Sequence, residues 1–151
     1  MEKNFMQLTL SNVKPLKLFI DKFFADNQGV FFKPHKFSYN GLKEELLDRQ
    51  KDIYVFLLDE QKIYSYGILR GWEEGYEIPS LGILVDIYER GNGYSYIMMD
   101  ELHRLAKLKG AKKVRLRVIK ENKLAISLYN KLGYVLSDYD EKHLVGFKNL
   151  E

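Results

Sequence analysis

Two helices are predicted in the first third of the chain. Apolar residues recur every three or four positions within 11–26, which is the spacing of a helix with one buried face, and Ser11 is placed to cap its start. These residues are Leu16, Phe19, Ile20, Phe23 and Phe24. A shorter helix is predicted over 41–49, with Asn40 as its cap. The aromatic segment 31–39 between them contains a proline and predicts an irregular connection.

Three strands are predicted next. Aliphatic, β-branched and aromatic residues dominate the runs 53–58, 62–70 and 76–87, and short polar or glycine-containing segments separate them. The third run contains Pro79, which cannot donate to a sheet ladder and therefore favours a bulge or an edge strand.

Helices and strands alternate in the second half of the chain. A glycine-containing loop at 89–95 leads into a long helix, and a strand with alternating apolar positions follows at 113–119. Asn122 can cap a last helix, and a terminal hairpin is predicted over 134–150. The order is helix, helix, three strands, helix, strand, helix, two strands. It predicts a mixed sheet covered by helices, of the α/β (α+β) class.

Composition favours a soluble globular domain. The 151 residues are 46% hydrophobic and 30% charged, which argues against disorder and supports one domain over 1–151. The longest uncharged run, 4–13, is shorter than the roughly 20 residues of a membrane span. The net charge of +3 is spread along the chain and gives no indication of nucleic-acid binding. With no cysteine, disulfides and thiol nucleophiles are excluded, and a cytoplasmic location is expected.

The strand, loop and helix at 81–109 carry the strongest chemical signal. Gly91 and Gly93 allow consecutive backbone N–H groups to point into one concavity at a helix N-terminus, and such a concavity binds phosphate. Arg90 adds a permanent positive charge. The two glycines alone are equally compatible with a plain tight turn, which is the commoner case. The loop lacks the Gly-Lys-Ser/Thr of a P-loop and the third glycine of a dinucleotide-binding loop.

Two motifs together resemble the GNAT superfamily of acyl-CoA-dependent N-acyltransferases. The first motif, Arg/Gln-x-x-Gly-x-Gly/Ala, is matched by Arg90 and Gly93, with Ser95 where Gly or Ala is usual. The second motif is Asn-x-x-Ala-x-x-Leu-Tyr-x-x-x-Gly-Phe/Tyr. Its matches are Asn122, Ala125, Leu128, Tyr129, Gly133 and Tyr134. With the order of elements, the resemblance covers about 53–150.

The resemblance implies a mostly antiparallel central sheet with helices on both faces. It also implies a splay between the strand ending near Ile87 and the strand at 113–119, where acetyl-CoA binds. The pantetheine arm would pair with strand backbone, and the pyrophosphate would lie on the N–H groups of the glycine loop. The implied cofactor-binding residues are Ile83, Leu84, Val85, Arg90, Gly91, Asn92, Gly93, Tyr94, Ser95, Asn122 and Tyr129.

The catalytic residues implied by the resemblance are Tyr129, Glu77 and Ser80. A phenol can protonate or hydrogen-bond the departing thiolate, and Tyr129 would face the thioester sulfur. Tyr129 also shares a helix face with Ala125 and Leu132, so a role in core packing is the alternative. Glu77 and Ser80 are candidates for the general base, since family members often draw the base from the strand before the phosphate loop.

The expected function is transfer of an acetyl group from acetyl-CoA to a primary amine. A small molecule such as an amino sugar is the first expectation for the acceptor. Acetylation of a protein amino terminus or lysine is the alternative, and a non-catalytic acyl-CoA sensor is the competing class. The aromatic residues of 31–39 and Trp72 either line an acceptor pocket or pack the core. The three histidines lack metal-ligand spacing, no nucleic-acid or membrane partner is expected, and the protein is either a monomer or a homodimer.

Overall fold

The computed structural model describes residues 2–29 and 34–150, and within them seven strands form one sheet. The strands are β1 (Asn4–Gln7), β2 (Ile53–Leu58), β3 (Ile63–Arg70), β4 (Ser80–Val85), β5 (Lys113–Ile119), β6 (Val135–Asp138) and β7 (His143–Asn149). The α-helices of this part of the chain are α1 (Lys17–Asp26), α2 (Tyr39–Asp48), α3 (Tyr94–Leu108) and α4 (Lys123–Lys131). None of these helices is long and apolar enough to cross a membrane.

The strands lie in the order β1, β2, β3, β4, β5, β7, β6. Neighbouring strands are antiparallel except for β4 and β5, which are parallel. Two separate clusters of buried side chains cover the sheet. Helices α1 and α2 contribute to one cluster with β2, β3 and β4, and α3 and α4 contribute to the other. The predicted mixed, mostly antiparallel sheet with helices on both faces is confirmed.

Helix α3 lies very close to β3 because Gly67 has no side chain. A Cβ atom at this position would come within 2.6 Å of the Met98 sulfur and 2.9 Å of a Leu102 methyl carbon. Met98 and Leu102 are both fully buried. Close approach of this kind fixes the long helix against the sheet, and therefore fixes where its N-terminus lies.

Strands β4 and β5 diverge almost as soon as they meet. Within the described residues their single paired position is Ser80 with Arg115, where the Arg115 N–H donates to the Pro79 carbonyl oxygen at 2.9 Å. The other edge of each strand is fully paired, β4 with β3 and β5 with β7. The predicted splay between these two strands is therefore present, and it opens toward the C-terminal ends of both.

Two helix caps predicted from the sequence are wrong. Ser11 hydrogen-bonds the Thr9 hydroxyl at 2.8 Å instead of capping a helix, and a 3₁₀ turn at Lys14–Leu16 precedes α1. Helix α2 is capped by Ser38, whose hydroxyl accepts from the Gly41 N–H at 3.0 Å, and Asn40 lies inside its first turn.

Two strands differ from what the sequence predicts. Strand β1 was not predicted, because its four residues alternate too briefly to be recognised; it forms through pairing with β2. The third predicted strand, 76–87, is shortened to β4. The Tyr76 N–H donates to the Gly71 carbonyl at 2.9 Å, which keeps residues 71–76 in a compact turn.

Candidate functional site

The glycine loop at the start of α3 adopts the conformation that its glycines allow. Gly91 has φ of +83° and Gly93 has φ of +85°, and both values belong to the left-handed region that favours glycine. An ideal Cβ atom at either position would have no atom within 4 Å. The backbone conformation, and not a steric clash within the protein, therefore selects glycine here. The space in front of the loop is open to a ligand.

The loop and the first turn of α3 present backbone donors that have no acceptor in the described part of the chain. The first hydrogen bond at this helix end runs from the Ile97 N–H to the Gly93 oxygen, 3.2 Å. Among the described residues, none accepts a hydrogen bond from the N–H groups of 91–96. The exposed Arg90 side chain likewise has no carboxylate within 4 Å in this part of the chain. Unpaired N–H groups at a helix N-terminus together with a guanidinium form a site for an anion such as a pyrophosphate.

A buried network ties this loop to the end of α1. Asn27 is fully buried, and its amide donates to the Phe23 oxygen at 2.7 Å and to the Asp86 carboxylate at 3.2 Å. Its carbonyl oxygen accepts from the Ile87 N–H at 2.7 Å. Lys62 in turn bridges Asp86 and Glu89 at 2.5 and 3.2 Å. The segment 86–89, which leads into the glycine loop, is therefore held by Asn27 and by Lys62.

Lys62 is fully charged in this network. Burial lowers its pKa, but the hydrogen bonds to Asp86 and Glu89 outweigh that effect and leave the pKa raised. Sequence reasoning missed Asn27 and Lys62, because neither belongs to a motif and each contacts residues far away in the chain.

The free edge of β4 provides backbone groups along the splay. Because the Pro79 oxygen points to β5 and backbone groups alternate along a strand, the N–H and C=O groups of Ile83 and Val85 point into the opening. Leu81 points the same way but lies beside the Ser80–Arg115 bridge, where the two strands are still paired. The backbone of Leu84 points the other way and pairs with Tyr66 of β3. Of the three backbone positions predicted here, Ile83 and Val85 face the splay and Leu84 does not.

Tyr129 on α4 combines a packed ring with an unpaired hydroxyl. The side chain is 8% exposed, and its ring lies 5.7 Å from that of Tyr134 within the cluster that includes α3. No described residue hydrogen-bonds its hydroxyl. Burial raises the pKa of Tyr129 to about 12, so the phenol keeps its proton at neutral pH and can act as a donor. The ring is therefore part of the core, while the hydroxyl is available to a ligand.

A hydrogen bond between His103 and Tyr134 supports the ring on which Tyr129 packs. His103 Nε2 is 2.7 Å from the Tyr134 hydroxyl. Burial, reinforced by Lys148, lowers the pKa of His103 to about 4, so the imidazole is neutral and can accept a hydrogen bond from the Tyr134 hydroxyl, which keeps its proton. This pair fixes the ring that packs against Tyr129. The sequence analysis assigned no role to His103.

Ser80 and Glu77 lie at the other end of β4 from the glycine loop. The Ser80 hydroxyl is 3.2 Å from Arg115 Nη1, at the position where β4 and β5 diverge. Glu77 is exposed, lies outside the strand and lines an open cavity of about 630 Å³ together with Trp72 and Lys112. The structure therefore places Ser80 at the splay and Glu77 on the connection before it.

Asn122 caps α4 as predicted, with its side-chain oxygen accepting from the Ala125 N–H at 3.2 Å. Residues 31–33 of the aromatic segment lie outside the described residues. In its described part, Phe37 stacks on Phe24 with ring centres 5.1 Å apart, and Tyr39 is buried. These two aromatic side chains pack the core. No group of three or more potential metal ligands occurs among the described residues.

The comparisons with known proteins assign the family. The sequence model of the Acetyltransferase (GNAT) family matches residues 17–134. The chain belongs to this family. A search of curated protein sequences finds no match.

Several solved structures share the fold of this GNAT protein. A PaiA N-acetyltransferase from Thermoplasma acidophilum in complex with coenzyme A has a TM-score of 0.75 and 16% identity, with 99% of each chain covered. A ribosomal-protein-S5-alanine acetyltransferase from Vibrio fischeri has a TM-score of 0.76 and 16% identity, covering 100% of this chain and 94% of that one. A phosphinothricin acetyltransferase from Sinorhizobium meliloti, in complex with acetyl-CoA, has a TM-score of 0.71 and 14% identity, with 99% and 89% covered. At these identities the likeness concerns the fold alone.

Proposed function

We propose that this protein is an N-acetyltransferase that moves an acetyl group from acetyl-CoA to a primary amine of a small molecule. The opening between β4 and β5 supports the proposal, because it joins three features. Among the described residues, unpaired N–H groups lie in the loop that follows β4, and free strand backbone runs along one side of the opening. Tyr129, whose hydroxyl no described residue hydrogen-bonds, packs in the same buried cluster as Leu81 of β4 and Val118 of β5. Two relatives of the same fold were solved with coenzyme A or acetyl-CoA.

Acetyl-CoA would bind along the opening. Its pyrophosphate would accept hydrogen bonds from the N–H groups of 91–96, with Arg90 adding charge. Its pantetheine arm would lie beside β4 and pair with Ile83 and Val85, as an added strand does. Asn122, at the start of α4, would contact the same ligand with the amide group that its cap leaves unused.

The chemistry needs no covalent enzyme intermediate. The neutral amine nitrogen attacks the thioester carbonyl carbon, and an N–H group of the β4 edge stabilises the developing oxyanion. The carbon–sulfur bond then breaks, and the Tyr129 phenol gives a proton to the leaving thiolate. The nitrogen loses its proton to water or to a base, for which Ser80 and Glu77 are our candidates. Ser80 lies at the splay, whereas the exposed Glu77 would act through water.

An amino sugar or a similar small amine is our first candidate acceptor, and a protein amino terminus or lysine is the second. Both kinds of acceptor occur among the structural relatives, since one is a ribosomal-protein-S5-alanine acetyltransferase and another is a phosphinothricin acetyltransferase. We place the reaction in the cytoplasm, in agreement with the expectation from the sequence.

Release of free coenzyme A over a panel of amines tests this function. A thiol-reactive dye reports only the product, because the protein has no cysteine. Thermal unfolding with and without coenzyme A gives binding separately. If coenzyme A leaves the unfolding temperature unchanged at millimolar concentration, the protein is not an acyl-CoA enzyme. Binding without turnover on any amine favours the sensor.

Tyr129→Phe tests the proton donor. The ring and its packing stay, so coenzyme A affinity should be unchanged while kcat falls about 100-fold. Tyr39→Phe is the matched control, since Tyr39 is also a buried helical tyrosine but lies in the cluster on the opposite sheet face. Equal kcat values for Tyr129→Phe and the wild-type protein would show that Tyr129 packs the core and is not the proton donor.

A further inference from the structure

One face of β5, β7 and β6 is covered by no helix in the described residues. Val114, Leu116 and Val118 of β5 are buried with α3 and α4, so the alternate β5 positions point to the opposite face. Helices α1 and α2 lie on that face too, but their buried cluster includes no residue of β5, β6 or β7. Val135 of β6, paired with Phe147, is 75% exposed there.

Two arginines are arranged around one aromatic ring on this uncovered face. The guanidinium carbons of Arg115 and Arg117 lie 5.7 and 5.2 Å from the centre of the Tyr139 ring. Arg115 is also held by the Ser80 hydroxyl at 3.2 Å, where β4 and β5 diverge. Cation–π contacts of this kind orient a guanidinium without neutralising it.

No carboxylate of the described residues pairs with the positive charge of Arg115 and Arg117. Neither Arg115 nor Arg117 has a carboxylate within 4 Å among the described residues, and Lys113 on the same face has none either. A neighbouring cation does have a partner, since Lys120 pairs with Asp138 at 3.1 Å. An acidic group of a ligand would supply the counter-charge for the two arginines.

The acceptor amine has to reach a thioester held in the opening. On the side of Tyr129 the sheet is covered by α3 and α4. On the other side the uncovered face begins at Arg115, beside Ser80. Two arginines two residues apart on a strand lie about 7 Å apart at Cα, and both guanidinium groups lie near the same Tyr139 ring. Such a pair can grip one carboxylate or phosphate.

We propose that Arg115 and Arg117 bind an anionic group of the acceptor, so that the substrate is a primary amine that also carries a carboxylate or a phosphate. This inference rests on the proposed acetyltransferase function and narrows its substrate class. The exposed part of the Tyr139 ring, which is 49% accessible, offers a surface for the body of the same molecule. A polyamine would be repelled by the uncompensated charge.

Matched acceptor pairs test the inference through release of coenzyme A. Each amino acid is compared with its amide, an amino sugar phosphate with the free amino sugar, and spermidine serves as the cationic amine. The anionic member of a pair should have a kcat/KM at least 10-fold higher. Comparing carboxylates with phosphates then distinguishes the two anion types.

Substitution of Arg117 tests whether this side chain causes the preference for anionic acceptors. Arg117→Gln should raise KM for the best anionic amine about 10-fold, with little change in kcat or in coenzyme A affinity. Arg117→Glu should shift the preference toward spermidine. Arg104→Gln is the charge-matched control, because Arg104 is exposed on α3 on the opposite face and pairs there with Glu101. It should leave KM unchanged.

Three results would overturn the inference and leave the acetyltransferase proposal intact. They are equal or better turnover of neutral or cationic amines, an Arg117→Gln KM that equals the wild-type value, and an effect of the same size in Arg104→Gln. Coenzyme A binding without turnover of any anionic amine overturns it as well. Absence of coenzyme A binding is a different failure, because it refutes the proposed function itself.

Discussion

The two glycines at the ends of α3 allow the glycine loop to be tested with backbone strain held constant. Gly93 at the start has φ of +85°, and Gly110 just past the end has φ of +89°. An ideal Cβ atom meets nothing within 4 Å at either position. Alanine must adopt the same left-handed conformation in both variants, so each should lose about 1–2 kcal/mol of the free energy of unfolding.

Only Gly93→Ala should weaken coenzyme A binding. A methyl group there occupies the open space in front of the N–H groups of 91–96, where the pyrophosphate is proposed to lie. Loss of one or two charge-assisted hydrogen bonds, at about 1.5–3 kcal/mol each, corresponds to roughly a 100-fold higher Kd. At a coenzyme A concentration 100 times the wild-type Kd, stabilisation by the ligand should fall from about 2.7 to about 0.4 kcal/mol.

Urea unfolding with and without coenzyme A measures both quantities, and isothermal titration gives Kd directly. The expected result is equal destabilisation of the two variants without ligand and a large difference with it. Equal Kd values for Gly93→Ala and Gly110→Ala would refute the assignment of the loop as the pyrophosphate site. Weaker binding in both variants would show that strain on α3, and not the methyl group, is responsible.

Two further predictions concern the side chains behind the site. Because the pKa of His103 is about 4 in the folded protein and about 6.5 in the unfolded chain, the unfolded chain takes up a proton first as the pH falls. The free energy of unfolding should therefore drop by roughly 1–2 kcal/mol between pH 6.5 and 4, after allowance for the partial exposure of the ring. Urea unfolding of His103→Gln should not show this pH-dependent drop. Asn27→Ala removes the buried partner of Asp86 and of the Ile87 N–H, so the free energy of unfolding measured in urea should fall by about 2–3 kcal/mol. Titration should also show a weaker affinity for coenzyme A. Asn130→Ala, on the exposed side of α4, is the control and should change neither quantity.

Strong local signals were sufficient for part of the fold. Strand β5 has the predicted bounds, because its apolar and basic residues alternate over seven positions. The cap of α4 is correct because the side chain and the Ala125 N–H that it binds are three residues apart. Strand β1 has no comparable pattern. Ser38 and Asn40 are both good caps, so the choice between them depends on the local backbone.

The candidate site also contains residues that the sequence could identify and residues that it could not. The glycine loop, Asn122 and Tyr129 belong to motifs with fixed spacing and could be named from the sequence. The supporting contacts join residues far apart in the chain, such as Asn27 with Asp86, His103 with Tyr134 and Arg117 with Tyr139. No periodicity marks such pairs, and they become visible only when the sheet brings them together.

The parallel contact between β4 and β5 connects the fold to the proposed chemistry. A fully paired sheet would satisfy the backbone of both strands, but here the backbone groups of Ile83 and Val85 face an opening. Unpaired backbone groups cost free energy when water cannot reach them, and an extended ligand that pairs with them removes the cost. The same opening separates Tyr129 on one face from Arg115 on the other. In the proposed reaction, a thioester held between the strands would have the Tyr129 face of the sheet on one side and, on the other side, the Arg115 face, from which the amine would approach.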